Sequence, residues 1–306
     1  MNTTEKIKNY IMASCDIDMV GIASADCLAG EPEGHRPTDI LPGAKNVIVM
    51  IRRITNGVIN SMFRFHENKK AQSLSGYTSY GDDLAANFLL VNVVNDVVNY
   101  LEDNYAGAVA VPVPFNVQQG MEFKNVPGPY FADPYGQGMP LNIFRAAQAA
   151  GLGEIGWSNR FVTEKYGPRV NITAVITNMD LKCDEPFKGK LCDPEKCQIC
   201  VKVCPTCALP AYKDGDGKVA DINVNACQVA SVGYRKEFVK RLAKDLIQGN
   251  DPTDEELAAA WSVRPITTPA VEHYPRNNCD KCLIYCPLGD WSGIFRDRGL
   301  SNLKLD

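Results

Sequence analysis

No apolar stretch in the 306-residue chain approaches the roughly 18 residues that a membrane-spanning helix needs. Residues 1–20 lack a basic region followed by an uninterrupted apolar core, so no secretory leader is expected and no oxidising compartment with it. An excess of positive charge is missing too. Lys plus Arg number 32 against 36 Asp plus Glu, a net charge of −4, which argues against a general grip on nucleic acid. Pairs such as Arg52-Arg53 and Lys69-Lys70 read as solvated surface. Histidine is scarce, with only His35, His66 and His273. These absences predict a soluble cytoplasmic protein with neither a membrane nor a nucleic-acid partner.

Cysteine, by contrast, is abundant, and all but Cys15 and Cys27 of the 12 lie from Cys183 onward. Eight of them form the run Cys192-x4-Cys197-x2-Cys200-x3-Cys204-Pro205, a lone Cys227, and the run Cys279-x2-Cys282-x3-Cys286-Pro287. Closely spaced thiolates wrap one [4Fe–4S] cluster, while the cysteine before proline turns away to ligate the other. The interleaving therefore assigns Cys192, Cys197, Cys200 and Cys286 to one cluster, and Cys204, Cys227, Cys279 and Cys282 to a second. A zinc ribbon shares the paired C-x2-C pattern. It does not call for a further cysteine four residues on, followed directly by proline, in both runs. Cys183 and Cys207 lie close enough in sequence to be alternative ligands, although spare buried thiols are common. The composition thus points to an electron-transferring oxidoreductase.

Along the first 180 residues, strand and helix signals alternate. Residues 19–24, 46–51 (NVIVMI), 107–113 and 169–177 are short apolar runs rich in β-branched residues, expected to be buried strands. Asp82 and Asp83 can cap a helix whose apolar positions Leu84, Phe88, Val91, Val94, Val98 and Leu101 recur at helical spacing. Residues 142–150 read as a helix ending at Gly151. The expected fold class is α/β, with helices on a central sheet over residues 1–180 and a cluster module over 181–306. Residues 115–140 have no period and are rich in Gly, Pro and aromatics, including Tyr130, Phe131 and Tyr135. This long loop is expected to form an active-site wall. Gly151-x-Gly153-x-x-Gly156 matches a dinucleotide fingerprint only in spelling, because it follows a helix rather than a strand.

The segment AAQAAGLGEIGWSNRFVTEKYGPRVNITAVITN (residues 146–178), with the cysteine runs behind it and PTDILPGAKNVIVM (37–50) before it, resembles the superfamily of epoxyqueuosine reductases and reductive dehalogenases. The resemblance covers most of the chain. It implies a nitroreductase-like mixed sheet flanked by helices, a bacterial-ferredoxin-like two-cluster module, and a cobalamin held base-off without a histidine ligand. Gly151, Gly153, Glu154, Gly156 and Tyr80 are the cofactor-binding residues it implies. The family's proton donor is an acidic residue in one branch, where this chain has Gln137, and a tyrosine in the other; Asp133 and Tyr135 are the nearest ionisable groups. The segment 77–84 matches an epoxyqueuosine reductase stretch but lacks its Tyr-His pair, and neither a helical-repeat extension nor an export signal is read from the sequence.

Three readings stay open at this level. They are a corrinoid-dependent reductase of a small organic or nucleoside substrate, a cobalamin-free electron carrier docking a redox partner, and a reductase that fills the same pocket with flavin. Residues 237–249 and 254–261 read as helices covering the clusters. Lys236, Lys240, Arg241 and Lys244 either dock an acidic ferredoxin or flavodoxin as electron donor or form an ordinary solvated helix face.

Overall fold

The computed structural model describes residues 1–31, 33–68, 77, 80–81, 89–113, 141–213, 217, 219–223, 226–227 and 279–290. The described chain runs α1 (Thr3–Ser14), β1 (Met19–Ser24), α2 (Pro37–Ile40), β2 (Asn46–Arg53), α3 (Asn56–Asn68), α4 (Leu90–Asn104), β3 (Ala110–Val113), α5 (Ile143–Ala149), β4 (Glu154–Ile155), β5 (Phe161–Val162), β6 (Val170–Thr177), α6 (Ile199–Lys202) and α7 (Lys281–Ile284). The expected loop at 115–140, the caps Asp82 and Asp83, and the helices at 237–249 and 254–261 lie outside the described residues.

The central sheet has the order β1-β2-β6-β3. Ile22 stands opposite Ile48, Ile48 opposite Val175 and Val111 opposite Ile176, and each of these pairings is antiparallel. A mixed sheet was the expectation; among the described residues this sheet is antiparallel throughout. The mixed sheet was what the superfamily resemblance implied; the burial of β2 and β6 on both faces carries no information on strand direction.

Alternate residues of these strands feed two cores. Val47, Val49, Ile51, Ala174 and Ile176 pack against Leu141 and against Ile143, Phe144 and Ala147 of α5. Ile48, Met50 and Val175 face the other way, onto Ile7 and Ile11 of α1 and Leu90, Val94, Val97 and Leu101 of α4. Fully burying each of the Val, Leu, Ile, Phe and Met side chains among these stabilises the fold by about 1.5–3 kcal/mol. Helix α1, which periodicity alone did not pick out, starts with a capping box in which Asn2 and Glu5 each accept the other's backbone N–H at 2.9 Å.

Helix α5 matches the expected 142–150, and its end aims the chain at the cysteines. The Asn142 side chain accepts from Arg145 N at 3.2 Å, and the C-terminus closes as a Schellman motif. Gly151 N–H donates to Gln148 O at 3.1 Å and Leu152 N–H to Ala147 O at 3.0 Å, with Gly151 at φ 77°. The glycine turn is thus a helix C-terminus, the opposite end from one that binds phosphate.

Candidate functional site

From the glycine turn the chain enters the β4–β5 hairpin, where Glu154 pairs with Val162. Glu154 Oε1 accepts the backbone N–H groups of both Leu191 and Cys192, each at 2.6 Å. Gly156 leaves the space that Cys192 fills, since a β-carbon there would come within 3.4 Å of Cys192 Sγ. Trp157 N–H then donates to Cys192 Sγ at 3.4 Å, and its buried indole donates to Pro210 O at 3.1 Å. Cys200 rides on α6. From the far end of the sequence, Cys286 is fixed through its carbonyl, which accepts from Arg169 Nη1 at 2.9 Å; the same guanidinium donates to Leu288 O. Burial pushes the Cys286 thiol up to about 12, the Leu288 N–H and Arg169 oppose the rise, and Cys192 and Cys197 add to it. Cys192, Cys197, Cys200 and Cys286 are therefore electrostatic neighbours.

The second group surrounds a hollow lined by Cys204, Cys227, Cys279 and Cys282, with Arg160 and Asp280 at its wall. Cys227 reaches it because Asn223 N–H donates to Ala208 O at 3.0 Å, Thr206 Oγ1 donates to Ala226 O at 2.8 Å, and Cys227 N–H closes on Asn223 O at 3.0 Å. Cys282 sits on α7, whose Leu283 and Ile284 bury against Ile59, Met62 and Phe63 of α3 and against Tyr77. Burial, then Cys282, raises the Cys227 thiol to about 12, with Arg160 opposing. Burial likewise raises Cys279 to about 12, the Lys281 N–H opposing. The two groups adjoin, for after burial it is Cys282 that most raises the Cys200 thiol.

The donor set fits iron–sulfur clusters. Thiolates are the ligating form, so cluster insertion at these half-buried cysteines would be coupled to proton release. Among the described residues no three His, Cys, Asp or Glu side chains converge on a point that would hold a single ion. Four thiols, Cys204, Cys227, Cys279 and Cys282, stand around one hollow.

The other expected site residues fall as follows. Gly151 packs against the Glu185 backbone, Gly153 against Val162, and Glu154 and Gly156 hold the Cys192 loop. Tyr80 is 62% exposed. Asp133 and Tyr135 lie outside the described residues. Cys183 and Cys207 are exposed, and Cys183 Sγ accepts from Asn46 Nδ2 at 3.2 Å. Sequence reasoning missed Arg160, Arg169 and Tyr77. Their one signal was an arginine or tyrosine inside an otherwise apolar or glycine-rich stretch.

Glu154→Gln should weaken the Cys192 loop, because an ionised acceptor of two amides is replaced by a neutral one. The expected cost is about 1–3 kcal/mol. Faster iron release to a chelator, at unchanged cluster number before the challenge, is the measurement; equal release rates would contradict this role.

No family model matches the chain. Over 110 residues it is 34% identical to the tetrachloroethene reductive dehalogenase of Dehalobacter restrictus, a match covering 36% of this chain and 19% of that protein. Over 105 residues it is 31% identical to the epoxyqueuosine reductase of Lactococcus garvieae, covering 34% of this chain and 28% of that one. Each match spans less than a third of its relative's length. In structure, the chain aligns with an epoxyqueuosine reductase from Streptococcus thermophilus at a TM-score of 0.50 and 18% identity, covering 83% of this chain and 67% of that one, a likeness of fold. Over about a third of its length the chain is thus similar in sequence to reductive dehalogenases and to epoxyqueuosine reductases, in agreement with the superfamily resemblance carried by its glycine turn and cysteine runs.

Proposed function

We propose that the protein is an iron–sulfur reductase that passes electrons through two [4Fe–4S] clusters to a corrinoid, and from there to a small organic or nucleoside substrate. The observation that supports this reading is that Cys204 of the first run shares one hollow with Cys227, Cys279 and Cys282, while Cys286 of the second run has Cys192 and Cys197 as electrostatic neighbours. Cys192, Cys197, Cys200 and Cys286 would hold one cluster, and Cys204, Cys227, Cys279 and Cys282 the other. Similarity to reductases of two kinds supports the oxidoreductase part.

Reduced cobalamin, when bound, supplies a strong nucleophile and reductant. The chain's own part is to exclude water, hold the thiolates and deliver a proton. Asp133 and Tyr135 are the proposed proton donors, and residues 1–180 the cofactor and substrate domain beside a ferredoxin-like module at 181–306. The proposed setting is the cytoplasm, with ferredoxin or flavodoxin as electron donor; among the described residues no helix is long and apolar enough to cross a membrane. Although the charge balance of this chain speaks against nucleic acid, its similarity to an epoxyqueuosine reductase puts an epoxyqueuosine-containing substrate beside small organohalides in the substrate screen.

The deciding experiment is metal and cofactor content after anaerobic purification, with and without added cobalamin. About eight irons per chain and stoichiometric base-off cobalamin are expected. Eight irons without corrinoid uptake would replace this reading by an electron carrier, or by a flavoenzyme if flavin absorbance is present. Zinc in place of iron would end it.

A further inference from the structure

We propose that Arg160 tunes the reduction potential of the cluster held by Cys204, Cys227, Cys279 and Cys282. The inference rests on the reading of that thiol group as a cluster site. Arg160 reaches the wall of the hollow from the turn before β5, and its side chain is 14% exposed. Nη2 donates to Asp280 Oδ1 at 2.6 Å, and Arg160 lines the same hollow as Cys282, whose raised thiol pKa it opposes. Asp280 is steadied from its other side by the Tyr77 hydroxyl, which donates to Oδ2 at 2.9 Å. Arg160 Nε is buried and has no hydrogen-bond partner among the described residues.

A buried N–H left unpaired is costly and rare. Here it sits on a side chain that lines the hollow, so a cluster sulfur placed there would satisfy it. The arginine of the other group is engaged differently. Arg169 gives its terminal nitrogens to the carbonyls of Cys286 and Leu288 and thereby fixes the loop. Reduction adds one negative charge to a cluster, and hydrogen bonds to its sulfurs together with a buried neighbouring cation favour the reduced form. Asp280 offsets part of that charge, its carboxylate accepting from Arg160 and Tyr77.

The test is an EPR-monitored redox titration of anaerobic wild type, Arg160→Gln and Arg160→Lys, with iron and sulfide content measured on each. In Arg160→Gln the reduction equilibrium of one cluster should fall at least tenfold, which is 59 mV for one electron, while the other midpoint stays put. Arg160→Lys, which keeps charge but loses the planar donor, should shift the same midpoint by less. Both midpoints unchanged with clusters intact would overturn the role of Arg160 and leave the cluster reading standing. Wild type without iron and sulfide would instead remove the cluster reading itself. Should Arg160→Gln fail to assemble a cluster, the lysine variant decides: a shift confined to one midpoint supports the proposal, and no shift refutes it.

Discussion

Alanine at Cys204 should remove a different cluster from alanine at Cys286, even though each residue closes a cysteine run whose other members serve the opposite cluster. If each run wrapped its own cluster, Cys286→Ala would match Cys279→Ala. In the structure the neighbours of Cys286 are Cys192 and Cys197, while Cys204 shares its hollow with Cys227, Cys279 and Cys282. The expected results are therefore paired: Cys286→Ala behaves like Cys197→Ala, and Cys204→Ala behaves like Cys282→Ala. In every case iron should fall from about eight to about four per chain. EPR of the reduced protein tells the pairs apart, because the surviving cluster differs between them. Cys204→Ala and Cys197→Ala losing the same cluster would show that the crossed arrangement is wrong.

What the sequence made legible was whatever depends on near neighbours. Strand β1 occupies the expected 19–24, and α5 ends at the expected glycine, because burial pattern and turn chemistry are local. The proposed eight-cysteine constellation rests on text of the same local kind, because cluster ligation needs short spacings. Other features resisted. Strand direction stayed hidden behind two-sided burial of β2 and β6. The contacts of Gly153 with Val162 and of Gly156 with Cys192 come from residues 9 and 36 positions away, which no local pattern encodes. Arg160 and Asp280 are 120 residues apart, and Tyr77 and Asp280 are 203 apart. A charged residue's partner at such separation is set by the fold and leaves no periodic trace. The missed capping box of α1 is different, since Asn2-x-x-Glu5 was there to be read.

Gly153→Ala should be among the most destabilising substitutions in the chain, and through packing alone. Gly153 has φ 155°, and a β-carbon there would stand on the Val162 carbonyl oxygen, with the Phe161 ring at 3.1 Å. Neither neighbour can give way cheaply. Val162 is paired to Glu154 across the β4–β5 hairpin, and Phe161 is fully buried against Phe144. Backbone strain of about 1–3 kcal/mol adds to an overpacking cost of about 1–3 kcal/mol. At about 2–4 °C per kcal/mol, the fall in Tm should be of order 10 °C. The displacement should also travel, because moving β4 withdraws Glu154 from the Leu191 and Cys192 amides. The cluster of Cys192, Cys197, Cys200 and Cys286 should then lose iron to a chelator before the other does. Gly30→Ala, where an added β-carbon meets nothing within 4 Å, serves as the control and should stay within about 0.5 kcal/mol of wild type. A Gly153→Ala protein with wild-type Tm and wild-type iron retention would mean that the hairpin yields freely, and that Glu154 holds the cysteine loop without help from the glycine turn.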